Sequence, residues 1–555
     1  MSIMQYSNLV LQTDLPADRL QPEKYYDLAI IGAGISSAYT LIHYLELLEQ
    51  SDSIEHLGNR QPVKVIVTEK SGEFWTGIPY GSRSGKSCLL ISPLIEFIPQ
   101  QVEREHFTNW LNANRNWLFA PQVGNDDELA SKWLQANQSD IDRGLWDDLF
   151  IPRQTFGLYL KQRVENSLVS AVSKGLVEID LVTADVLDVE RDRNRAIAER
   201  GTYFNTKKLV IAIGSPPNVA FERAETSVNS GLCYIDNMYE PSLDVNIDRI
   251  CNSLAQQSDR QVLIVGSNAG TLDTLYSLND SKILTSLVEK FIILSPNAAF
   301  PHRISREVPS IDYTPEALVN LIPLAPFSAK QIFEAVQLDV AAATAKNINI
   351  SDIHSEISKV VIQALNQLDF SEQQQFVSKY AVEIGKLQRR AGAEYLDVVD
   401  RLISEDKLNF IKGKFVKQVP LPAGGSGCEY INSDDRQSKI HNTPIGVIIN
   451  CAGFQDVTKS SSVLIQNLLR REICAPNDSN RGFVIDKNFE ATKNCYVMGP
   501  LVAGNIDGSF KVWHAESCQR IIGLSQHLAT VLMQPEPTNV TPARAVTDGI
   551  LVNAG

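Results

Sequence analysis

The sequence predicts an α/β protein in which two strand–turn–helix units of the same kind are joined by a mainly helical insertion. Three observations carry this. Two short aliphatic segments, Tyr26-Asp27-Leu28-Ala29-Ile30-Ile31 and Gln261-Val262-Leu263-Ile264-Val265, each run straight into a glycine-containing turn. Apolar residues at helical spacing follow each turn, from Ala38 to Leu45 in the first unit and through Leu272, Leu275 and Leu278 in the second. A further strand then closes each β-α-β unit, at Val63-Lys64-Val65-Ile66-Val67-Thr68 and at Phe291-Ile292-Ile293-Leu294.

In chain order, residues 1–24 read as an N-terminal arm and 25–225 as the first part of the first domain. Within that part, the stretch from Gly72 to about Pro152 reads as irregular, and a helix spans about 155–173. Residues 226–439 form the second domain, with the helical insertion at about 313–405. The chain then returns to the first domain over 440–533, ending in a helix over about 514–533. Residues 534–555 are a Pro-containing, loose tail.

Composition narrows the partners. The 555-residue chain has ordinary globular values of 44% hydrophobic and 21% charged residues. Its net charge of −14 argues against nucleic acid and anionic membrane, which need clustered Lys and Arg. The eight cysteines contain no Cys-x-x-Cys pair, which speaks against a structural metal, a disulfide framework or a dithiol redox centre. Without a signal peptide or a membrane-length apolar run, a cytoplasmic location is expected.

The first turn, Gly32-Ala33-Gly34-Ile35-Ser36-Ser37, has the chemistry of a pyrophosphate site. Gly32 permits the sharp strand-to-helix turn, Gly34 permits close backbone approach, and the helix N-terminus offers unsatisfied N–H donors. Ser37 stands where the third small residue is needed. Glu69, at the end of the second strand, suits ribose hydroxyls, although 35 residues separate it from Gly34 against about 20 in the usual pattern. The expected fold is therefore Rossmann-like and its ligand a dinucleotide.

Several further blocks resemble a known family. They are Phe74-Trp75-Thr76-Gly77-Ile78-Pro79-Tyr80-Gly81, Leu89-Leu90-Ile91-Ser92-Pro93, Pro152-Arg153-Gln154-Thr155-Phe156, Leu387-Gln388-Arg389-Arg390-Ala391, Asn450-Cys451-Ala452-Gly453-Phe454 and Tyr496-Val497-Met498-Gly499-Pro500. As a set they resemble the bacterial flavoproteins with two dinucleotide-binding domains, and the segment 74–93 is similar to N-hydroxylating flavin monooxygenases. The resemblance implies FAD at the first turn and NAD(P)H at the second. Its FAD residues would be Gly32, Gly34, Ser36, Ser37, Glu69, Lys70, Trp75, Arg153, Val186, Gly214, Gly453, Gly499 and Pro500. Val186 falls on the segment whose backbone meets the adenine, and Gly214 and Gly453 fall at the two crossings between domains.

The second turn, Gly266-Ser267-Asn268-Ala269-Gly270, has Asn268 in place of the middle glycine, a residue that tolerates left-handed backbone. The strand beyond it ends at Leu294-Ser295 with no acid, which leaves room for a ribose 2′-phosphate. His302, Arg303 and Arg306 follow and suit that phosphate, so NADPH is expected over NADH.

No hydrolytic nucleophile motif is present, and His514, Asp507 and Lys511 are the candidate polar groups near the flavin. The resemblance implies an oxidoreductase, with a monooxygenase acting through a flavin C4a-hydroperoxide on an amine or amino-acid nitrogen as the leading expectation. A non-oxygenating NAD(P)H-dependent reductase and a flavin-binding regulatory protein without turnover are the alternatives. Small-molecule substrate and O2 are the partners in the first case. Sequence leaves the oligomeric state open.

Overall fold

The computed structural model describes residues 15–16, 24–54, 61–119, 128–190, 195–222, 232–305, 312–507, 510–514 and 517–534. The first sheet is built on Tyr25–Ile31, which lies between Val63–Glu69 and Tyr203–Ile211, with Val177–Thr183 beyond the former and Cys495–Val497 beyond the latter, all parallel. The tail, 535–555, and most of the expected N-terminal arm lie outside the described residues, but Leu15–Pro16 pairs with Val182 and Thr183 at the sheet edge. The strands Tyr25–Ile31 and Val63–Glu69 have almost wholly buried apolar ends, as expected of parallel strands covered on both faces.

The second sheet repeats the plan. Gln261–Val265 lies between Lys290–Ser295 and Val447–Asn450, with Leu408–Pro420 beyond the former and Cys233–Ile235 beyond the latter. This corrects the expected boundary at residue 440. Val447–Asn450 belongs to the second sheet, so the chain crosses back to the first domain only after it.

The stretch expected to be irregular contains two long helices, Gln101–Leu118 and Glu128–Arg143. Their sequences are polar because each buries only a narrow stripe, Glu103, Phe107 and Leu111 in one and Trp133, Asn137 and Ile141 in the other. Residues four apart stack on one helix face, which is the signal that marks them. The insertion has its own core around Leu318, Ile332, Ile353 and Phe376. It stops near Leu387, because the next helix, Ala393–Ser404, packs on Ala269–Asp280 as part of the second domain.

Two crossings connect the domains, and they lie side by side. Asn218 bridges Phe454 in antiparallel fashion, Val219 N–H donates to Gly453 O at 2.9 Å, and Gln455 N–H donates to Pro217 O at 2.9 Å. Gly214 (φ +79°) and Gly453 (φ +101°) sit at these crossings with open space where a Cβ would stand.

Candidate cofactor-binding site

The two glycine turns are the same device built twice. Gly32 has φ +92°, and a Cβ there would stand 2.4 Å from Ala212 O, just past the neighbouring strand. Gly266 has φ +121°, and its Cβ would stand 2.1 Å from Cys451 O, again just past the neighbouring strand. Gly32 N–H donates to Thr68 O at 2.8 Å, and Gly266 N–H donates to Leu294 O at 2.9 Å. Both glycines are thus demanded by the protein's own backbone.

Gly34 is different. The nearest atom to its absent Cβ is Gly77 Cα at 3.8 Å, so the chain itself leaves room for a side chain there. The protein does not need a glycine at this position, whereas a ligand lying on the turn does.

The surroundings close over this turn. Trp75, in the left-handed region at φ +77°, donates its N–H to Ala33 O at 2.6 Å. Ser37 Oγ donates to Gly32 O at 2.5 Å, so its hydroxyl staples the turn as well as being small. Glu69 accepts from Ala33 N–H at 3.0 Å through one oxygen and from Ser71 N–H and Oγ at 3.1 and 2.7 Å through the other. Its carboxylate therefore rests at the mouth of the turn. Gly499 (φ +84°) brings the Pro500–Val502 turn onto Ser36, whose Oγ would lie 2.8 Å from a Cβ at 499. Ala184 N–H donates to Glu69 O at 3.2 Å, which sets Val186 at the expected end of the Glu69 strand. Lys70 is exposed beside Asp185, whose pKa is raised by burial against the opposing pull of Lys70.

The residues present fit a flavin dinucleotide. A turn with an open Gly34 leads into the N-terminus of helix Ile35–Ile54, and the hydroxyls of Thr68 and Thr76 are buried there without a hydrogen-bond partner. Sequence reasoning passed over Thr76 and Gly77, although both stand in the Trp75-Thr76-Gly77 block. A Cβ on Gly77 would lie 3.3 Å from Gly34 Cα, and such a close meeting of two backbones shows only in three dimensions.

Some expected residues stand elsewhere. Trp75 has a ring only 1% exposed and packed on Phe74, so it holds the turn through its backbone and presents no ring to a flavin. Arg153 points to the second domain. Its Nη2 donates to Asp273 at 2.7 Å, and Tyr239 Oη donates to the same carboxylate oxygen at 2.9 Å. Burial opposes the guanidinium charge most strongly of any one influence, but Asp273 together with Cys88, Tyr239 and Tyr395 outweighs it, and the Arg153 pKa stands above the ordinary value.

At the second turn, Asn268 is extended, with φ −94°, at the start of helix Ala269–Asp280, so left-handed tolerance is not what it contributes. Ser267, Ala269 and Gly270 line the same helix entrance, half-buried. Thr271 is buried there beside the Cys451 thiol, and the helix N-terminus it stands on suits a nucleotide as the first does. Arg303 is held by Asp397 and Asp400 at 2.6 and 2.5 Å, and strand His302–Arg303 pairs with Arg390–Ala391. These two residues therefore fasten the ends of the insertion, with Arg303 held on the surface by the two exposed acids. Arg306 lies outside the described residues.

Of the polar candidates, Asp507 accepts Lys487 N–H at 3.0 Å and Lys511 donates to Asn366 at 3.1 Å, both in tying the hairpin 505–512 to its surroundings. His514 precedes the last helix, Cys518–Met533, and does not start it. Burial first, and then the charges of Arg520 and Arg481, pull its pKa down to about 4, so it is neutral at pH 7. Among the described residues no cluster of three metal-ligating side chains occurs, and no helix is long and apolar enough to cross a membrane.

Comparison with known proteins places these features. Residues 29–216 match the family described as FAD-NAD(P)-binding. An uncharacterized protein of Mycobacterium tuberculosis is 27% identical over 530 residues, covering 93% of this chain and 97% of that protein. An uncharacterized protein of Mycobacterium bovis matches to the same extent. Among solved structures, ornithine hydroxylase from Pseudomonas aeruginosa is similar with a TM-score of 0.50 at 12% identity, covering 92% of this chain and 99% of that one. The cadaverine monooxygenase of desferrioxamine biosynthesis from Erwinia amylovora is similar with a TM-score of 0.52 at 11% identity, covering 92% and 95%. The chain therefore carries an FAD-NAD(P)-binding domain over residues 29–216, within the two-sheet fold seen in flavin monooxygenases.

Proposed function

We propose that this protein is an FAD-dependent, NAD(P)H-using monooxygenase acting on a small nucleophilic substrate such as an amine or amino-acid nitrogen. The observation that supports it most is the doubled turn. One chain offers two equivalent dinucleotide entrances, at Gly32 and Gly266, linked by adjacent crossings at Gly214 and Gly453. The flavin supplies redox and oxygen chemistry when bound. The chain supplies position and dryness. Gly34 and the N-terminus of helix Ile35–Ile54 receive the phosphates, Glu69 and the backbone at 184–186 bracket the ribose and adenine, and the Trp75 and Gly499 segments exclude water. The equivalence of the second turn to the first favours turnover over a flavin-binding scaffold. Purified protein is expected to carry a flavin spectrum, to bleach with NADPH under argon, and to recover in air with oxygen incorporated into an added amine. Reoxidation without incorporation across a panel of amines would favour a non-oxygenating reductase, and failure to bleach would favour the scaffold.

NADPH is the preferred donor in this reading, and its cation is Lys412. Ser295 ends its strand without an acid, its Oγ accepting Ala298 N–H at 3.0 Å, and Lys412 is its register partner on the next strand. Lys412 is paired on the surface with Asp434 at 2.5 Å, and an exposed pair of this kind exchanges partners at little cost. Lys412→Ala is expected to raise the KM for NADPH by about tenfold while leaving that for NADH unchanged. An equal effect on both would remove Lys412 from this role.

A further inference from the structure

The second sheet sets the direction in which a dinucleotide lies on it. Its central strand, Gln261–Val265, runs parallel to both neighbours, so Gly266 opens at the same edge as the ends of Lys290–Ser295 and Val447–Asn450. The chain leaves Gly266 through helix Ala269–Asp280 towards Lys290–Ser295, while Val447–Asn450 joins on the other side from far along the sequence. Such a reversal opens a crevice outside the carboxyl ends of the strands, and ligands of open α/β sheets lie in it. With the adenosine end beside Ser295 and Lys412 and the pyrophosphate at the helix entrance, the nicotinamide end passes beyond Val447–Asn450.

The second crossing stands at that end, and it is held firmly. Asn450 Nδ2 donates to Val219 O at 2.7 Å, and its Oδ1 accepts Ala452 N–H at 3.1 Å. Asn218 and Phe454 then face each other in the antiparallel bridge between the two crossings. Residues directly opposed in such a pair send their side chains to one face. Asn218 shows which face this is. Its Nδ2 donates to Asp236 O at 3.0 Å, and Asp236 directly follows Cys233–Ile235, the parallel neighbour of Val447–Asn450. Phe454 is therefore turned towards the carboxyl ends of the second sheet.

Its ring is open to a ligand. Phe454 is 52% exposed, and a Cβ on the adjoining Gly453 would meet nothing within 4 Å. A large apolar ring thus faces free space at the nicotinamide end of the crevice, on backbone pinned from both sides.

We propose that Phe454 is the platform on which the nicotinamide ring of NADPH lies. The inference rests on the reading that the Gly266 turn receives NADPH, and it names the residue that holds the reacting ring. A phenyl face and a flat heteroaromatic ring bury apolar area together and stack with an offset. The crossing at Gly453 leads back to the first domain, so a ring held on Phe454 is held at the seam across which the hydride travels to the flavin.

The test is a calorimetric titration of flavin-loaded protein with NADP+ and with adenosine 2′,5′-bisphosphate, which keeps the adenosine end and lacks the nicotinamide. Phe454→Ala is expected to weaken NADP+ by at least about fivefold while leaving the bisphosphate within about twofold of wild type. Phe454→Tyr, which keeps the ring, should bind both as wild type does. Should Phe454→Ala lose flavin or fail to fold, Phe454→Leu, which keeps apolar bulk without a ring, carries the same expectation. Unchanged NADP+ affinity in the ringless variants, or equal weakening of both probes, would overturn the platform while leaving the nucleotide site standing. Binding of neither probe by wild type would overturn the nucleotide reading of the Gly266 turn and the platform with it.

Discussion

Gly32→Ala will leave the first domain without a stable fold, whereas Gly34→Ala will fold normally and lose its flavin. At Gly32 two costs add. An L-residue held at φ +92° costs about 1–2 kcal/mol. The new Cβ also meets Ala212 O at 2.4 Å, and Ala212 cannot retreat because its N–H is bonded to Ile31 O at 2.9 Å within the sheet. Together these exceed about 3 kcal/mol, a large share of the stability of an ordinary domain. At Gly34 the Cβ meets nothing nearer than 3.8 Å, so the flavin-free protein should change by less than about 1 kcal/mol. The methyl would stand where a pyrophosphate must approach, and flavin affinity should fall by at least about tenfold. Urea unfolding of the apoprotein and flavin retention on gel filtration separate the two effects. Full flavin occupancy in Gly34→Ala would remove the dinucleotide from this turn.

The contrast also shows what sequence can and cannot convey. A glycine string names a turn, because strand, turn and helix are contiguous and their chemistry is local. The same string does not say which glycine serves the chain and which serves a ligand. That depends on Ala212 and Cys451, which lie 180 and 185 residues along the chain from their glycines. The second-sheet strand Val447–Asn450 was misplaced for a related reason. An aliphatic strand ending in a glycine reads alike in either sheet, and only pairing with Gln261–Val265 decides. Helices Gln101–Leu118 and Glu128–Arg143 carry only Phe107 with Leu111 and Trp133 with Ile141 as large apolar residues on their buried faces, and Glu103 and Asn137 interrupt the stripe within a polar majority. The arginines were the least legible. Arg303 and Arg153 are cations in suggestive places, yet the acids that claim them, Asp397, Asp400 and Asp273, come from other elements.

Arg153→Ala should therefore destabilise the union of the two domains more than it affects flavin. The side chains of Arg153 and Asp273 are 12% and 9% exposed, so removing the arginine leaves a buried carboxylate with only Tyr239 Oη to meet it. Breaking a buried pair from one side costs about 3–5 kcal/mol. Replacing both partners by apolar residues of similar size is often neutral, because no charge is then stranded. Arg153→Met alone should lower the unfolding midpoint sharply, Asp273→Leu alone should do likewise, and the double variant should recover much of the loss. The interaction energy from that cycle should be at least about 1 kcal/mol. The cycle also decides between the two roles for this residue. An arginine that binds flavin would leave the double variant stable but poor in flavin. An arginine that joins the helix Arg153–Ser173 to Ala269–Asp280 leaves it both stable and yellow, and the geometry at 2.7 Å from Asp273 favours the second outcome.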